Sequence, residues 1–237
     1  MDTATINFEE RLKVNSREFA RVVPFEPGDK LLEMDFTEKN NELTDEILAD
    51  TNLFIKYINA KLSYAGAKYG IGGYGENRTL YRRSKVFDGP EGAGPRQLHL
   101  GIDIWGKPHT KVIAPLNGIV HSFAFNNAFG DYGATIILTH NLDGEIFHTL
   151  YGHLSLNSIK NIQEGDAVKK GDVIAEFGIP FENGQWPPHL HFQIVKDLEG
   201  MKGDYPGVCA YSDREKYLAN CPDPDLILQM MQYATKQ

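Results

Sequence analysis

The sequence predicts a mainly β protein with a helical N-terminal extension and a C-terminal helix. From Leu98 to Val195, short apolar runs alternate with Gly, Pro, Asn and Asp, which is typical of strands joined by turns. No helical stretch separates these runs, as the crossovers of a parallel sheet would require, so we expect an all-β core. The runs are LHLGIDIW, KVIAPLNGIVHSF, ATIILTH, IFHTLYGHL, VKKGDVIAEFG and HLHFQIV.

Residues 1–95 differ from this core in the spacing of their apolar residues, which predicts a helical extension. Thr44 or Asp45 can cap a helix, and the apolar residues that follow recur at helical spacing. We expect this helix to end near Gly66 or Gly70. The run GIGGYG that starts at Gly70 follows a helix rather than a strand, so we interpret it as a flexible loop and not as a dinucleotide-binding fingerprint.

The end of the chain predicts a helical tail. Asp223 and Pro224 offer an N-cap and a first-turn proline ahead of the run DLILQMMQY. We therefore divide the chain into an extension of residues 1–95 packed on the core, a core of residues 96–207 and a tail of residues 208–237.

Composition excludes several classes of protein. The 237 residues are 41% hydrophobic and 24% charged, an ordinary globular balance with enough apolar material for a core. The formal net charge of −8 opposes binding to nucleic acid. The N-terminus lacks the basic and apolar segments of a secretory signal, and no run approaches the about eighteen apolar residues of a membrane span. We therefore expect a cytoplasmic protein without membrane contact, with Cys209 and Cys221 reduced and inert.

Two histidines open the last apolar run. Alternate residues of a strand face the same side, so His189 and His191 are expected to share one face while their apolar neighbours pack the other. His99 and Asp103 form a similar pair around Gly101, which leaves room where a metal would lie. One histidine of the HLH pair then completes three protein ligands with an open fourth position, the arrangement of catalytic zinc.

A further histidine, His153, lies in the segment YGHLS at the end of another run. Together with the spare histidine of the HLH pair, it supplies two imidazoles beside the expected metal. Imidazole titrates near neutral pH, so these groups are suited to proton transfer.

The segments HLGID, YGHL and HLHF, in this order, resemble the LytM or lysostaphin-type zinc metallopeptidases. The resemblance runs from about Arg96 to about Val195. It implies a compact antiparallel β core of sandwich or barrel-like form, with a groove over the metal. It also assigns Zn²⁺ ligands to His99, Asp103 and His191, and catalytic histidines to His153 and His189.

Two departures from the family pattern concern the groove. The segment ENGQWPP replaces a loop of small residues before HLHF, and Gln193 stands where Glu is frequent. We expect the metal chemistry to be untouched and the groove wall to be altered. Tyr151 and Trp186 are candidate substrate contacts.

The sequence around these motifs resembles that of a branch of the family found in multidomain proteins. There the module lies beside an aminotransferase-like and a small-molecule-kinase-like domain, which implies a cytoplasmic peptide or amide substrate. In the extension, we interpret three arginines as solvated, with contact to an anionic substrate group as the alternative: Arg78, Arg82 and Arg83.

The function that these observations favour is hydrolysis of a peptide or amide bond by metal-activated water, in substrates that include peptidoglycan-type peptides. One alternative is an inactive module of the same type that binds and regulates another enzyme, although all five motif positions are filled. A lipoyl or biotinyl carrier is the other alternative, since APLNGIVHSF and IQEGDAVKKGDVIAEFG resemble its two halves. Between these halves Lys160 is the only lysine, and it lacks the surroundings of a carrier lysine.

Overall fold

A computed structural model describes residues 6–89 and 94–236, and its largest element is an open β-sheet. The strands are Leu31–Glu33 (β1), Tyr69–Gly72 (β2), Arg96–His99 (β3), Ile102–Trp105 (β4), Lys111–Ile113 (β5), Gly118–Asn126 (β6), Gly133–Leu142 (β7), Glu145–Leu154 (β8), Ala167–Val168 (β9), Val173–Glu176 (β10), His189–Val195 (β11), Val208–Ala210 (β12) and Ala234–Thr235 (β13). The α-helices are Phe8–Val14 (α1), Asp45–Ala49 (α2), Thr51–Ala65 (α3), Arg214–Asn220 (α4) and Asp225–Leu228 (α5).

Nine strands form this sheet in the order β13-β1-β2-β4-β11-β8-β7-β6-β9. Strand β1 runs parallel to both β13 and β2, whereas the remaining pairs are antiparallel, so the sheet is mixed. Its two outer strands do not pair with each other, so the described residues form no closed barrel. The expected mainly β fold is confirmed. The expectation of a purely antiparallel core did not foresee that the extension would join the sheet.

Strand β11 lies in the middle of the sheet, between β4 and β8. Its apolar side chains Leu190, Phe192 and Ile194 are fully buried in the main hydrophobic core. Burial of each such side chain contributes on the order of 1.5–3 kcal/mol. The alternation that buries these residues turns His189 and His191 to the other face, where both line a cavity.

The helical region between β1 and β2 is two helices rather than the one that the spacing predicted. The side chain of Thr44 accepts a hydrogen bond from the backbone of Ile47 and caps α2. The side chain of Asp50 then accepts from two backbone N–H groups and starts α3, which interrupts the helix that the apolar spacing suggests. Helix α3 ends, as expected, at Gly66, which adopts the left-handed conformation with φ 60°.

The first half of the glycine-rich run is a strand, which corrects the interpretation of the whole run as a flexible loop. Residues 70–72 belong to β2, which pairs with β1 on one side and β4 on the other. A Cβ atom on Gly70 would lie 2.7 Å from Cγ of Met34, so a larger residue would displace that side chain. The glycines therefore permit close approach within the sheet rather than mobility.

The ends of the core also differ in detail from expectation. The first apolar run divides between two sheets, because β3 pairs with β12 whereas β4 pairs with β2 and β11. The C-terminal helix α5 has only four residues because Gln229 adopts a left-handed conformation with φ 50°. Among the described residues, no helix combines the length and apolarity needed to cross a bilayer.

Packing of the extension against the core can be tested within α3. Phe54 is fully buried, and its ring centroid lies 5.9 Å from that of Trp105 in β4, whereas Tyr64 on the same helix is 95% exposed. Phe54→Ala should lower the free energy of unfolding by about 3–5 kcal/mol because it leaves a cavity. Tyr64→Ala, the matched control, should change it by less than about 0.5 kcal/mol. Urea denaturation followed by circular dichroism measures both, and equal effects would contradict this packing.

Candidate metal centre

Three buried side chains from different strands converge beneath a cavity. His99 Nε2 lies 2.9 Å from His191 Nδ1 and 3.3 Å from Asp103 Oδ1, and His191 Nδ1 lies 3.2 Å from the same carboxylate oxygen. All three residues are at most 3% exposed. Pairing of β11 with β4 places His191 opposite Asp103. Among the described residues they form the one group of histidine, cysteine and carboxylate donors close enough to hold a metal.

This donor set fits Zn²⁺. Two imidazole nitrogens and one carboxylate oxygen are ordinary zinc ligands, and three protein ligands leave a fourth position open. Ligand bonds of about 2.0–2.2 Å at tetrahedral angles separate the donor atoms by roughly 3.4 Å. The observed separations of 2.9–3.3 Å are close to that value.

Hydrogen bonds on the far side of each imidazole select the tautomer that binds metal. His99 Nδ1 donates to the carbonyl of Gly73 at 3.0 Å, which leaves the lone pair of Nε2 for the cluster. His191 Nε2 donates to Oε1 of Gln193 at 2.8 Å, which leaves the lone pair of Nδ1. The sequence did not reveal this contact, through which the amide of Gln193 orients a candidate ligand.

Gly101 serves a different purpose from the one expected. A Cβ atom at this position would lie 2.5 Å from Cε1 of His191, so the missing side chain makes room for the imidazole and not for the metal itself. Gly207 likewise admits Tyr132, whose hydroxyl would lie 1.9 Å from a Cβ there. Tyr132 donates to the carbonyl of Tyr205 at 3.1 Å, and its ring packs 5.2 Å from that of His191. No sequence signal marked this tyrosine.

The charges of the cluster follow from burial and from one nearby cation. Burial alone would raise the pKa of Asp103, but His99 and the guanidinium of Arg78 outweigh it and hold that pKa well below its usual range. Burial and Arg78 lower the pKa of His99 to about 3. At neutral pH the cluster therefore presents an ionised carboxylate and a neutral imidazole, the forms that ligate metal.

The remaining two site histidines stack beside the cluster. The ring centroid of His189 lies 3.9 Å from that of Trp105 and 4.1 Å from that of His153. Nδ1 of His189 donates to the carbonyl of Pro187, and Nδ1 of His153 donates to that of Asn183, both at 2.8 Å. Burial lowers the pKa of His189 to about 4 and that of His153 well below its usual range. Both imidazoles are therefore neutral, with Nε2 as the proton acceptor.

A bulge in β8 turns His153 toward the cavity. Opposite Thr135, strand β8 has two residues, Gly152 and His153, and His153 has a positive φ of 63°. Tyr151 therefore does not share the face of His153, which corrects the expectation based on regular alternation. Tyr151 is fully buried against Phe192 in the core and does not line the cavity, so the structure does not bring this candidate substrate contact to the site.

The cavity has a volume of about 200 Å³, and the N-terminal extension forms one of its walls. Trp186 lines it, as the sequence suggested, and lies 6.4 Å from Tyr81 and 6.5 Å from Phe87 between ring centroids. Tyr81 and Phe87 belong to the extension, and the sequence had not singled them out. The other wall and the rim include Arg96, Asp131 and Asp204.

The three arginines of the extension have different environments. Arg78 is 1% exposed and contacts Asp103, so the expectation that it is solvated is wrong. Arg83 lies over the ring of Trp186 at 4.6 Å and donates to the carbonyl of Gln185 at 3.1 Å. Arg82 is exposed and pairs with Asp45 at 3.1 Å.

Comparison with known proteins agrees with this geometry. Residues 97–203 match peptidase family M23. The L-Ala--D-Glu endopeptidase of Bacillus subtilis is 30% identical over 126 residues, which cover 51% of this chain and 36% of that protein. An uncharacterized metalloprotease of Haemophilus influenzae is 36% identical over 97 residues, which cover 40% of this chain and 18% of that protein.

Solved structures of related domains exist as well. The catalytic domain of the antimicrobial peptidase lysostaphin from Staphylococcus simulans is 25% identical, and the match covers 70% of this chain and 98% of that one, with a TM-score of 0.39. The present chain spans well under half the length of both curated relatives. The resemblance expected from the three motifs is confirmed, because residues 97–203 of this chain match peptidase family M23.

Proposed function

We propose that this protein is a zinc-dependent peptidase or amidase that cleaves a peptide or amide bond with metal-activated water. The observation that carries the proposal is the arrangement of five side chains around one cavity. His99, Asp103 and His191 converge as the donor cluster, and the neutral imidazoles of His153 and His189 stack beside it. The match of residues 97–203 to peptidase family M23 supports this proposal.

Zn²⁺ held by three protein ligands makes water acidic and polarises a carbonyl group. The protein's own contribution is proton transfer by the stacked histidines. In both His153 and His189 the N–H at Nδ1 is bonded to a backbone carbonyl, so the resting imidazole can accept a proton at Nε2 but has none to donate there. The histidine that accepts the proton becomes the group that can later donate it to the leaving nitrogen, or stabilise an oxyanion.

The proposed substrate is a peptide of the peptidoglycan type with small groups around the scissile bond. The name of the Bacillus subtilis relative, an L-Ala--D-Glu endopeptidase, supports this class. The cavity volume of about 200 Å³ lies below the roughly 300–1,000 Å³ of a typical small-molecule site. Bulky substrate side chains would therefore fit poorly beside the donor cluster.

Purified protein loaded with zinc tests the activity. We expect hydrolysis of a short peptide containing an L-Ala–D-Glu bond, detected by mass spectrometry of the products. Cross-linked peptidoglycan and oligoglycine serve as further test substrates. The proposal fails if the zinc-loaded, folded protein cleaves none of these and no other peptide or amide.

The roles of the histidines can be separated by zinc content and rate. His191→Ala should lose nearly all bound zinc and all turnover. His153→Ala and His189→Ala should keep zinc and lose about two to four orders of magnitude in rate, the usual contribution of a general acid or base. His121→Ala, a partly exposed histidine in β6, is the control and should change neither. Elemental analysis at matched circular dichroism decides, and complete zinc loss in His189→Ala would refute the assignment within the HLH pair.

The amide of Gln193 should set the affinity for zinc. Gln193→Leu removes the acceptor for Nε2 of His191 and frees the imidazole to rotate, so we expect zinc affinity to fall about 10–100-fold. Gln193→Glu restores an acceptor and should retain tight binding. Gln163→Leu, at an exposed position, is the control. Competition with a chromophoric chelator measures the affinities, and an unchanged value in Gln193→Leu would show that this hydrogen bond is dispensable.

A further inference from the structure

Arg78 is a buried cation beneath the donor cluster of His99, Asp103 and His191. It belongs to the extension and not to residues 97–203, which match the family. Its side chain is 1% exposed, and no proton loss relieves the charge of a guanidinium. A buried charge persists only if it is paired and its hydrogen bonds are satisfied. The partners of Arg78 therefore indicate what holds it in place.

Those partners accept hydrogen bonds from the nitrogen atoms of the planar, forked guanidinium group. Nη1 donates to Oδ2 of Asp103, Nε donates to Oε2 of Glu76 at 2.6 Å, and Nη2 donates to the carbonyl of Gly72 at 3.2 Å. The hydroxyl of Tyr81 accepts a longer bond from Nη1 at 3.3 Å. A lysine could not reproduce this geometry because its ammonium lacks the fork.

The two oxygens of Asp103 consequently face different partners. Oδ1 lies 3.3 Å from Nε2 of His99 and 3.2 Å from Nδ1 of His191, whereas Oδ2 faces Arg78. We propose that Arg78 is a positioning residue that occupies Oδ2, so that Asp103 offers Zn²⁺ a single oxygen and the fourth ligand position stays open. This inference rests on the zinc site of the proposed function.

The glycine-rich segment is shaped for this contact. Gly73 has φ 106°, and a Cβ atom there would lie 1.8 Å from Nη2 of Arg78, so no other residue leaves room for the guanidinium. The carbonyl of Gly73 also accepts the bond from Nδ1 of His99. Gly73 thus orients His99 directly and leaves room for Arg78, which contacts Asp103.

Glu76 holds the arginine from the opposite side. Its Oε2 accepts from Nε of Arg78, and its Oε1 accepts from the backbone N–H of Phe36 at 3.0 Å. The chain of contacts therefore runs from the backbone of the extension through Glu76 and Arg78 to Asp103. Positioning of the carboxylate depends on residues outside the family match.

Zinc affinity distinguishes positioning from simple charge. If Arg78 acted only as a nearby cation, its removal would tighten zinc binding, because a positive charge repels the metal. If it positions Asp103, Arg78→Met should weaken binding about 10–100-fold. Arg78→Lys, which keeps the charge without the fork, should also weaken it. Arg82→Met, at an exposed arginine, is the matched control and should bind as the unaltered protein does.

Cobalt substitution reports the coordination directly. Four-coordinate Co²⁺ absorbs visible light much more strongly than five- or six-coordinate Co²⁺. We expect the strong bands in the unaltered protein and in Arg82→Met, and weaker bands in Arg78→Met, where Oδ2 is free to bind the metal as well. The double variant Glu76→Gln, Arg78→Met removes both charges of the pair and keeps the test available if the single variant fails to fold.

The outcomes separate this inference from the proposed function. Unchanged or tighter zinc binding together with an unchanged Co²⁺ spectrum in folded Arg78→Met would overturn the role of Arg78 alone. Failure of the unaltered protein to bind zinc or cobalt would overturn the metal site and the inference with it. Weaker binding and weaker bands in both Arg78→Met and the double variant would support it.

Discussion

The antiparallel pairing of β11 with β4 is the constraint on which the rest of the site depends. It places His191 opposite Asp103 and His189 opposite Trp105, so one ladder of hydrogen bonds fixes a donor pair and the aromatic support of a second histidine. A slip of one residue would turn both histidines into the core and the apolar side chains into the cavity. Burial of Leu190, Phe192 and Ile194 makes that slip costly, so the hydrophobic core fixes the register of the polar site.

The extension takes part in this arrangement from the other side of β4. Strand β2 pairs with β4, with Gly72 opposite Asp103, and the chain then turns so that Arg78 reaches that carboxylate. The segment that follows supplies Tyr81 and Phe87 to the cavity wall. Residues that precede the family match therefore contribute to the sheet, to the charge balance of the cluster and to the shape of the cavity.

The sequence predicted the parts of the site that depend on local periodicity. Alternation in HLHFQIV is sufficient to place His189 and His191 on one face, and the spacing of His99 and Asp103 brings both to the cluster even though the strand breaks at Gly101. The position of Tyr151 could not be predicted in the same way. Its face depends on a bulge in β8, and a bulge depends on the partner strand rather than on the residues of β8 alone.

Contacts between distant segments account for the other differences. Nothing in the sequence around Arg78 indicates that Gly73 and Glu76 enclose it in the fold. The glycine run likewise becomes a strand only where it pairs with β4. Gln193 likewise gains its meaning from His191, which shares its face and lies within reach of its amide. Such roles arise from tertiary packing, which periodicity and motif spacing do not encode.

The electrostatics of the buried site give a reason for a divalent metal to bind there. Two carboxylates, those of Asp103 and Glu76, share the single guanidinium of Arg78, and the pKa of Asp103 lies well below its usual range. A net negative charge removed from water is unfavourable. Hydrogen bonds among the side chains of the site do not remove that charge. A dication at the convergence of the three donors would neutralise it while using the lone pairs that the hydrogen bonds to Gly73 and Gln193 leave free. The carboxylates whose removal from water is unfavourable would thus be stabilised by a divalent metal at this position.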